Sequence, residues 1–281
     1  MRREQLRMQH FAGSFLKSMV FLKMESMKRY DKNQGATAMK LLIIRHADPD
    51  YTIDSLTPAG WQEAELLSER LTKENIKSFY VSPLGRAKDT ASLTLKKLGQ
   101  EAKEEPWLRE FVPQIRRPDR PERFSICWDW LPQDWTKESR HFDRELWSST
   151  ETFETANVRQ TAEWVWAGLD QVLADHGYQR DGACYRAVRS NEDKVALFCH
   201  FGVECVLLSH LLGISPMCLW HGLCAAPSSV TTLATEERRQ GMASFRMLAF
   251  GDTSHLYAGG RKPSFAARFC ETFGNAEQRH D

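Results

Sequence analysis

The sequence predicts a three-layer α/β/α sandwich built on a mostly parallel β-sheet. Short buried apolar runs alternate along the chain with longer segments in which apolar residues recur at helical spacing. The two clearest strands, "KLLIIR" and "KVALFCH", are apolar over most of their length, as expected for strands that helices cover on both faces. With 281 residues and 42% hydrophobic content, the chain is long enough to bury a core of ordinary size.

The first half of the chain begins with a strand over residues 40–45. Thr57 and Pro58 supply an N-cap and a proline at the first helical position, which predicts a helix over about 58–72. "SFYVS", residues 78–82, is predicted to be the second strand and is followed by a helix that begins near Gly85 and ends at Gly99.

The second half repeats the alternation. "NVRQTAEWVWAGLDQVLADHG" predicts a long amphipathic helix that ends at Gly177. The apolar run at 194–200 is a third strand, and "VECVLLSHLLG" is the helix after it. "SSVTTLAT" and "ASFRMLAF" alternate like two paired strands at one side of the sheet.

Composition changes along the chain and predicts where the domain lies. Residues 1–38 carry eight Lys or Arg against three acids, and we interpret them as an extension upstream of the domain. The alternative is a basic amphipathic helix that contacts a partner or a membrane surface. The domain is predicted over 39–258 with a cap-like insertion at about 111–148, and 259–281 is predicted to be a polar tail.

The overall charge gives no sign of a polyanionic partner. Lys plus Arg (38) nearly balances Asp plus Glu (37), so we expect neither nucleic acid binding nor attraction to an anionic membrane. The seven cysteines include no C-x-x-C pair, which favours reduced thiols and a cytoplasmic protein. The apolar run "FLKSMVFL" is broken by Lys17 and is too short to span a membrane. The oligomeric state stays open, and a dimer is compatible with the sequence.

Three predicted strands end in polar residues of one chemical kind. Arg45 and His46 follow the first strand, Ser82 and then Arg86 follow the second, and His200 follows the third. Ligands of such sheets bind outside the carboxyl ends of the strands, so we expect these side chains to meet in one crevice. Arginine binds phosphate oxygens with two N–H groups, and a neutral imidazole is a competent nucleophile toward phosphorus. The combination therefore predicts a site for a phosphoryl group.

Several short motifs around these residues resemble the histidine phosphatase (phosphoglycerate mutase-like) superfamily. "RHA" stands where that family has Arg-His-Gly, and "SPLGRAKDTA" is similar to its Ser-Pro-Leu-x-Arg-Ala-x-x-Thr-Ala. "LTPAGWQEA", "WLREF", "FCHFG" and "FGDTSHL" are similar to further family segments, so that the resemblance covers about residues 39–257. The chain departs from the pattern at Ala47, which replaces a glycine, and at Phe201, which separates His200 from Gly202.

The resemblance implies a metal-independent phosphomonoester hydrolase of the histidine acid phosphatase type, without a cofactor. His46 would take the phosphoryl group from a small-molecule phosphomonoester and form a phosphohistidine that water then cleaves. Arg45, Arg86 and His200 would stabilise the phosphoryl oxygens. Glu110 in "WLREF" would protonate the leaving group.

The segment after Glu110, which carries four arginines and four tryptophans, is predicted to form a lid or a wall of the pocket. If Glu110 reaches the leaving group, the chain after it must pass close to the pocket mouth, and a long irregular loop in a compact domain is more often functional than idle. Arg116 or Arg117 is expected to bind a second anionic group of the substrate, and Tyr51 is expected to face the pocket. The alternative for this segment is an aromatic cap that only packs over the sheet. Two other functions remain open. One is a mutase of the same family, although the loop "ADPDYT" has no convincing equivalent of the Ser or Thr and the Asn that mutases carry at set positions after the first strand. The other is a non-catalytic protein that binds phosphate or single-stranded nucleic acid.

Overall fold

The computed structural model describes residues 38–264 and 270–277. Both interpretations of the predicted N-terminal extension concern residues that lie outside this part, apart from residue 38. Within it the strands are β1 (Lys40–Arg45), β2 (Pro49–Asp50), β3 (Ser55–Leu56), β4 (Ser78–Val81), β5 (Lys103–Glu104), β6 (Gln114–Arg116), β7 (Phe124–Ile126), β8 (Tyr178–Asp181), β9 (Cys184–Ala187), β10 (Lys194–Cys199), β11 (Val230–Arg239) and β12 (Met242–Asp252). The α-helices are α1 (Pro58–Leu71), α2 (Gly85–Leu98), α3 (Pro132–Trp135), α4 (Glu151–Glu154), α5 (Val158–Asp175), α6 (Phe201–Leu212), α7 (Pro216–Gly222) and α8 (Ser254–Ala258), with 3-10 turns at Pro106–Leu108 and Ser139–Phe142.

The central sheet has eight strands in the order β5-β4-β10-β1-β11-β12-β9-β8. β5, β4, β10 and β1 are parallel, and the remaining neighbours pair in the antiparallel sense. The predicted pair at one side of the sheet is therefore β11 with β12. The β8–β9 hairpin, which extends the sheet beyond β12, was not predicted.

Helices cover both faces of the sheet, which confirms the predicted three-layer α/β fold. Alternate side chains of β1 enter different cores: Leu41 and Ile43 pack with α5 and α6, whereas Leu42 and Ile44 pack with α1 and α2. Because both sets are buried, β1 needs an unbroken apolar run.

The predicted helix ends are confirmed where a capping residue marks them. Thr57 caps α1 by accepting a hydrogen bond from the Gly60 N–H at 3.0 Å. Gly99 ends α2 with φ of 61°, and Gly177 follows α5 with φ of 94°, both in the left-handed region that glycine adopts easily. α6 begins at Phe201, two residues before the predicted start, because His200 takes the N-cap position.

The segment predicted to be a lid packs against the main core. It contains the β6–β7 hairpin, α3 and a 3-10 turn. Trp130, Trp135 and Trp147 are buried members of the core cluster, and Trp128 packs against it partly buried. This agrees with the alternative of an aromatic cap, and it does not present these three rings as a stacking surface for bases.

Among the described residues, no helix combines the length and the apolar composition that crossing a bilayer requires. The same part of the chain contains no group of three or more His, Cys, Asp or Glu side chains that could hold a metal ion.

Candidate active site

The carboxyl ends of β1 and β10 bring the two predicted histidines together. Arg45 lies opposite Cys199 in the parallel register, so the chain leaves both strands at the same level. The His46 N–H donates to the Cys199 carbonyl at 3.0 Å. The centroids of the His46 and His200 rings are 5.1 Å apart, and both side chains are buried.

The hydrogen bond of the His46 ring fixes which of its nitrogens keeps a free lone pair. Nδ1 lies 2.8 Å from the Ala47 carbonyl oxygen, which can only accept, so Nδ1 carries the proton and Nε2 keeps the lone pair. The Ala47 N–H in turn donates to Thr90 Oγ1 at 2.9 Å, which holds this carbonyl in place. Burial lowers the pKa of His46 well below its usual value, and the positive charges of Arg45 and Arg86 lower it further. The ring is therefore neutral at pH 7.

His200 is arranged as a hydrogen-bond donor. Its Nε2 lies 2.7 Å from Ser82 Oγ, whose hydroxyl can donate to Nε2 while it accepts the Leu84 N–H at 3.3 Å. This arrangement places the ring proton on Nδ1, for which the described part of the chain offers no partner. Burial lowers the pKa of His200, and the positive charges of Arg86 and Arg45 lower it further, so this ring is also neutral.

The two predicted arginines are buried and held by the protein. Arg45 donates from a guanidinium N–H to the Ala225 carbonyl and lies over the Phe201 ring, 5.8 Å from its centroid. Arg86 forms an ion pair with Asp54 at 2.5 Å, and Asp54 also accepts the Gly85 N–H at 2.7 Å. The exposed ring of Tyr51 lies 5.3 Å from the Arg86 guanidinium, so the predicted contact residue does stand beside this site.

The Glu110 side chain lies at the N-terminus of α6, the helix that begins directly after His200. Its Oε1 accepts the Phe111 N–H at 2.8 Å and the Val203 N–H at 3.1 Å. Burial raises the pKa of Glu110, although these N–H groups and the charge of Arg45 act in the opposite direction. The carboxyl can approach this closely only because position 202 is glycine: a Cβ there would lie 2.6 Å from Glu110 Oε1. Glu110 therefore stands at the helix terminus that follows His200, and its carboxyl has an increased tendency to hold a proton.

Arg116 and Arg117 are occupied within their own segment. Arg117 is completely buried, pairs with Asp119 and donates to the Asp129 carbonyl at 3.0 Å. Arg116 donates to the Pro121 carbonyl at 2.8 Å, and its guanidinium lies 4.1 Å from the centroid of the Phe124 ring. Because a buried and paired guanidinium is not accessible to a ligand, the structure gives Arg117 a role in holding the segment together, which argues against the predicted substrate contact. For Arg116 the predicted contact stays a prediction.

Sequence reasoning missed three residues that support the site. Asp54 orients Arg86, and Thr90 holds the loop after His46. Glu204, in the first turn of α6, is 1% exposed and accepts the Thr231 hydroxyl at 2.5 Å, and burial raises its pKa to about 7. Only Thr90 had a signal in the sequence, since it is the threonine of the motif "SPLGRAKDTA" and lies four residues after Arg86 on the same helix face.

Comparisons with known proteins agree with this geometry. Over 102 residues the chain is 33% identical to the mitochondrial serine/threonine-protein phosphatase Pgam5 of Caenorhabditis elegans, and this match covers 34% of the chain and 36% of that protein. The matched stretch thus spans about a third of the relative's length. Among solved structures, "Mycobacterial hydrolase 2" is similar with a TM-score of 0.52 at 18% identity, covering 77% of this chain and 91% of its own.

A phosphoserine phosphatase of Entamoeba histolytica is similar with a TM-score of 0.50 at 19% identity, covering 78% of this chain and 99% of its own. At such identities the likeness of these structures concerns the fold alone. The family description "Histidine phosphatase superfamily (branch 1)" matches residues 41–247, which is most of the chain. The chain therefore belongs to the histidine phosphatase superfamily.

Proposed function

We propose that the protein is a phosphatase that hydrolyses a small-molecule phosphomonoester through a phosphohistidine intermediate. The observation that carries the proposal is the fixed tautomer of His46, whose neutral ring keeps the Nε2 lone pair beside two buried arginines and His200. Membership of the family supports phosphatase activity in general, and the phosphatase names of the relatives agree with it.

In the first step His46 Nε2 attacks phosphorus and the bond from phosphorus to the ester oxygen breaks. Charge redistributes onto the phosphoryl oxygens, which Arg45, Arg86 and the Nδ1–H of His200 stabilise. Buried donors support this assignment: within the described chain neither His200 Nδ1 nor Arg86 Nε has a hydrogen-bond partner. Both are thus available to substrate oxygens.

Glu110 supplies the proton that the leaving oxygen needs. An alkoxide is a poor leaving group, and burial raises the pKa of Glu110 so that a larger fraction holds a proton near neutral pH. In the second step a water molecule attacks the phosphohistidine, the bond between nitrogen and phosphorus breaks, and Glu110 accepts the proton of the water. The products are the free alcohol and inorganic phosphate, and His46 returns to its neutral form.

The test is to trap the intermediate. Acid-sensitive, base-stable phosphate should appear on about one residue per chain when turnover of a phosphomonoester is stopped by denaturation, and His46→Ala should lose both the label and turnover. The matched control is His210→Ala, since that histidine pairs with Asp170 at 2.9 Å in the last turn of α6, away from His46, and should keep the label. Appreciable turnover by His46→Ala would contradict the mechanism. A label without net hydrolysis would instead favour the mutase, and binding without any label would favour the non-catalytic protein.

A further inference from the structure

A cavity of about 570 Å³ opens beside Glu110. It lies between the chain that carries the acid and the first turns of α5. The lining residues are Trp107, Arg109, Glu110, Phe111, Val112, Pro113, Ala156, Gln160, Thr161, Trp164 and Val165. Its volume is within the range of pockets that hold small organic ligands.

Seven of the eleven residues that line this cavity are apolar, and the polar ones are Arg109, Glu110, Gln160 and Thr161. Trp107, Phe111 and Val165 are buried and belong to the main core, so they form a fixed floor. Gly168 allows Trp107 to pack closely on α5, since a Cβ at that position would lie 2.4 Å from the indole ring. Val112 and Trp164 each remain 45% exposed although they are large apolar side chains. A ligand with an apolar surface would cover both of them.

Glu110 connects this cavity with the catalytic histidines. Its Oε1 is anchored at the N-terminus of α6 by the Val203 N–H, whereas the residue itself forms part of the cavity wall. A group that receives a proton from Glu110 must come within hydrogen-bond distance of this carboxyl. The leaving group of the substrate therefore departs next to the cavity.

We propose that this cavity binds the leaving group and that the preferred substrate is an aromatic phosphomonoester. The inference rests on the proposed function. A flat aromatic ring gains contact with Val112 and Trp164 and needs no hydrogen-bond partners, whereas a polyhydroxylated alcohol would lose its hydration against these walls. In the reaction the bond between His46 Nε2 and phosphorus forms, the aryl ester bond breaks, Glu110 gives its proton to the aryl oxygen, and water later releases inorganic phosphate.

The test compares kcat/KM for 1-naphthyl phosphate and for glycerol 2-phosphate. In Trp164→Ala and in Val112→Ala the ratio of the two values should fall about tenfold, because each change removes apolar contact with the ring only. Intrinsic differences between the two leaving groups cancel, since each variant is compared with the unchanged protein. The matched control is Trp61→Ala, because Trp61 is 38% exposed and lies in α1, on the opposite face of the sheet. This variant should leave the ratio unchanged.

Inhibition gives a second measurement that does not depend on turnover. 1-Naphthylmethylphosphonate should inhibit more strongly than methylphosphonate. Trp164→Ala should reduce the ratio of the two inhibition constants about tenfold. Unchanged ratios in both variants, or an equal effect of Trp61→Ala, would overturn the assignment of the cavity. Failure of the proposed function would appear differently, as loss of the phosphohistidine label and of turnover on both substrates in the unchanged protein.

Discussion

Gly202, the second residue of α6, is the position at which one added methyl group tests the placement of the acid. A Cβ at this position would lie 2.6 Å from Glu110 Oε1 and 2.5 Å from Trp128 Nε1. Non-bonded heavy atoms need about 3.5 Å, so Gly202→Ala must displace the Glu110 carboxyl by roughly 0.9 Å and the Trp128 indole by roughly 1.0 Å. Because the Phe111 N–H is bound to the same oxygen, the displacement also disturbs the bond that orients the acid.

The expected effect follows from what the acid contributes. General acid catalysis is worth about 10²–10⁴-fold, and a displacement of about 1 Å can cost about 10²-fold. We therefore expect kcat/KM for an alkyl phosphate such as glycerol 2-phosphate to fall on the order of 100-fold in Gly202→Ala. p-Nitrophenyl phosphate should lose much less, because nitrophenolate leaves without a proton.

The matched control is Gly222→Ala in α7, where a Cβ would meet no atom within 4 Å. It should leave both substrates unchanged. Thermal unfolding followed by circular dichroism separates displacement from unfolding, since alanine in a helix favours folding by up to about 1 kcal/mol while the clash opposes it. Equal losses on the two substrates, or full activity on glycerol 2-phosphate, would refute the placement of the acid.

Four further results are expected. Glu110→Gln should remove the decline in kcat/KM for alkyl phosphates at high pH, because a general acid works only below its pKa, which burial raises here. Asp54→Asn should lower kcat more than tenfold in steady-state assays by releasing Arg86 from its ion pair at 2.5 Å. Arg117→Ala should lower the melting temperature by several degrees and leave KM unchanged, because it empties a fully buried position. Glu204→Gln should raise the melting temperature at pH 8 more than at pH 5. Burial raises the pKa of Glu204 from 4.5 to about 7, so between these pH values the folded protein holds a proton on Glu204 that the unfolded chain releases. The folded protein therefore loses stability as the pH rises from 4.5 to about 7, and glutamine removes this loss.

The parts of the fold that could be predicted have local signals in the sequence. β1 and β10 are continuous apolar runs, and α1 and α2 carry a capping threonine and a terminal glycine. The β8–β9 hairpin has no such signal, because its strands "YQRD" and "CYRA" have only four residues each and half of these residues are polar. The hairpin is positioned by pairing with the start of β12, where Ala243 lies opposite Tyr185. A contact between such distant parts of the chain leaves no periodic pattern in the sequence by which it could be predicted.

The same distinction applies to the site. Arg45, His46 and His200 could be placed together because parallel strands deliver their carboxyl ends to one edge of the sheet. The side chain that a given cation pairs with depends on loop geometry, which explains why the Asp54 partner of Arg86 was missed. For Arg117 a signal was present: Asp119 lies two residues later in "RRPD", and the two side chains do pair.

The N-terminus of α6 also bears on the roles proposed for Glu110 as the acid and for His200 as a donor. His200 caps this helix, and Glu110 accepts the N–H of Val203 with Oε1. The positive end of the helix dipole favours an ionised carboxylate and disfavours a charged imidazole. Burial disfavours the charged form of both residues: it raises the pKa of Glu110 and lowers the pKa of His200. The neutral form of each residue is therefore stabilised. In a protonated carboxyl the carbonyl oxygen is the better acceptor. Since Oε1 accepts the backbone N–H groups, the transferable proton resides on Oε2, and the carboxyl can give up and regain that proton without losing the bonds that position it.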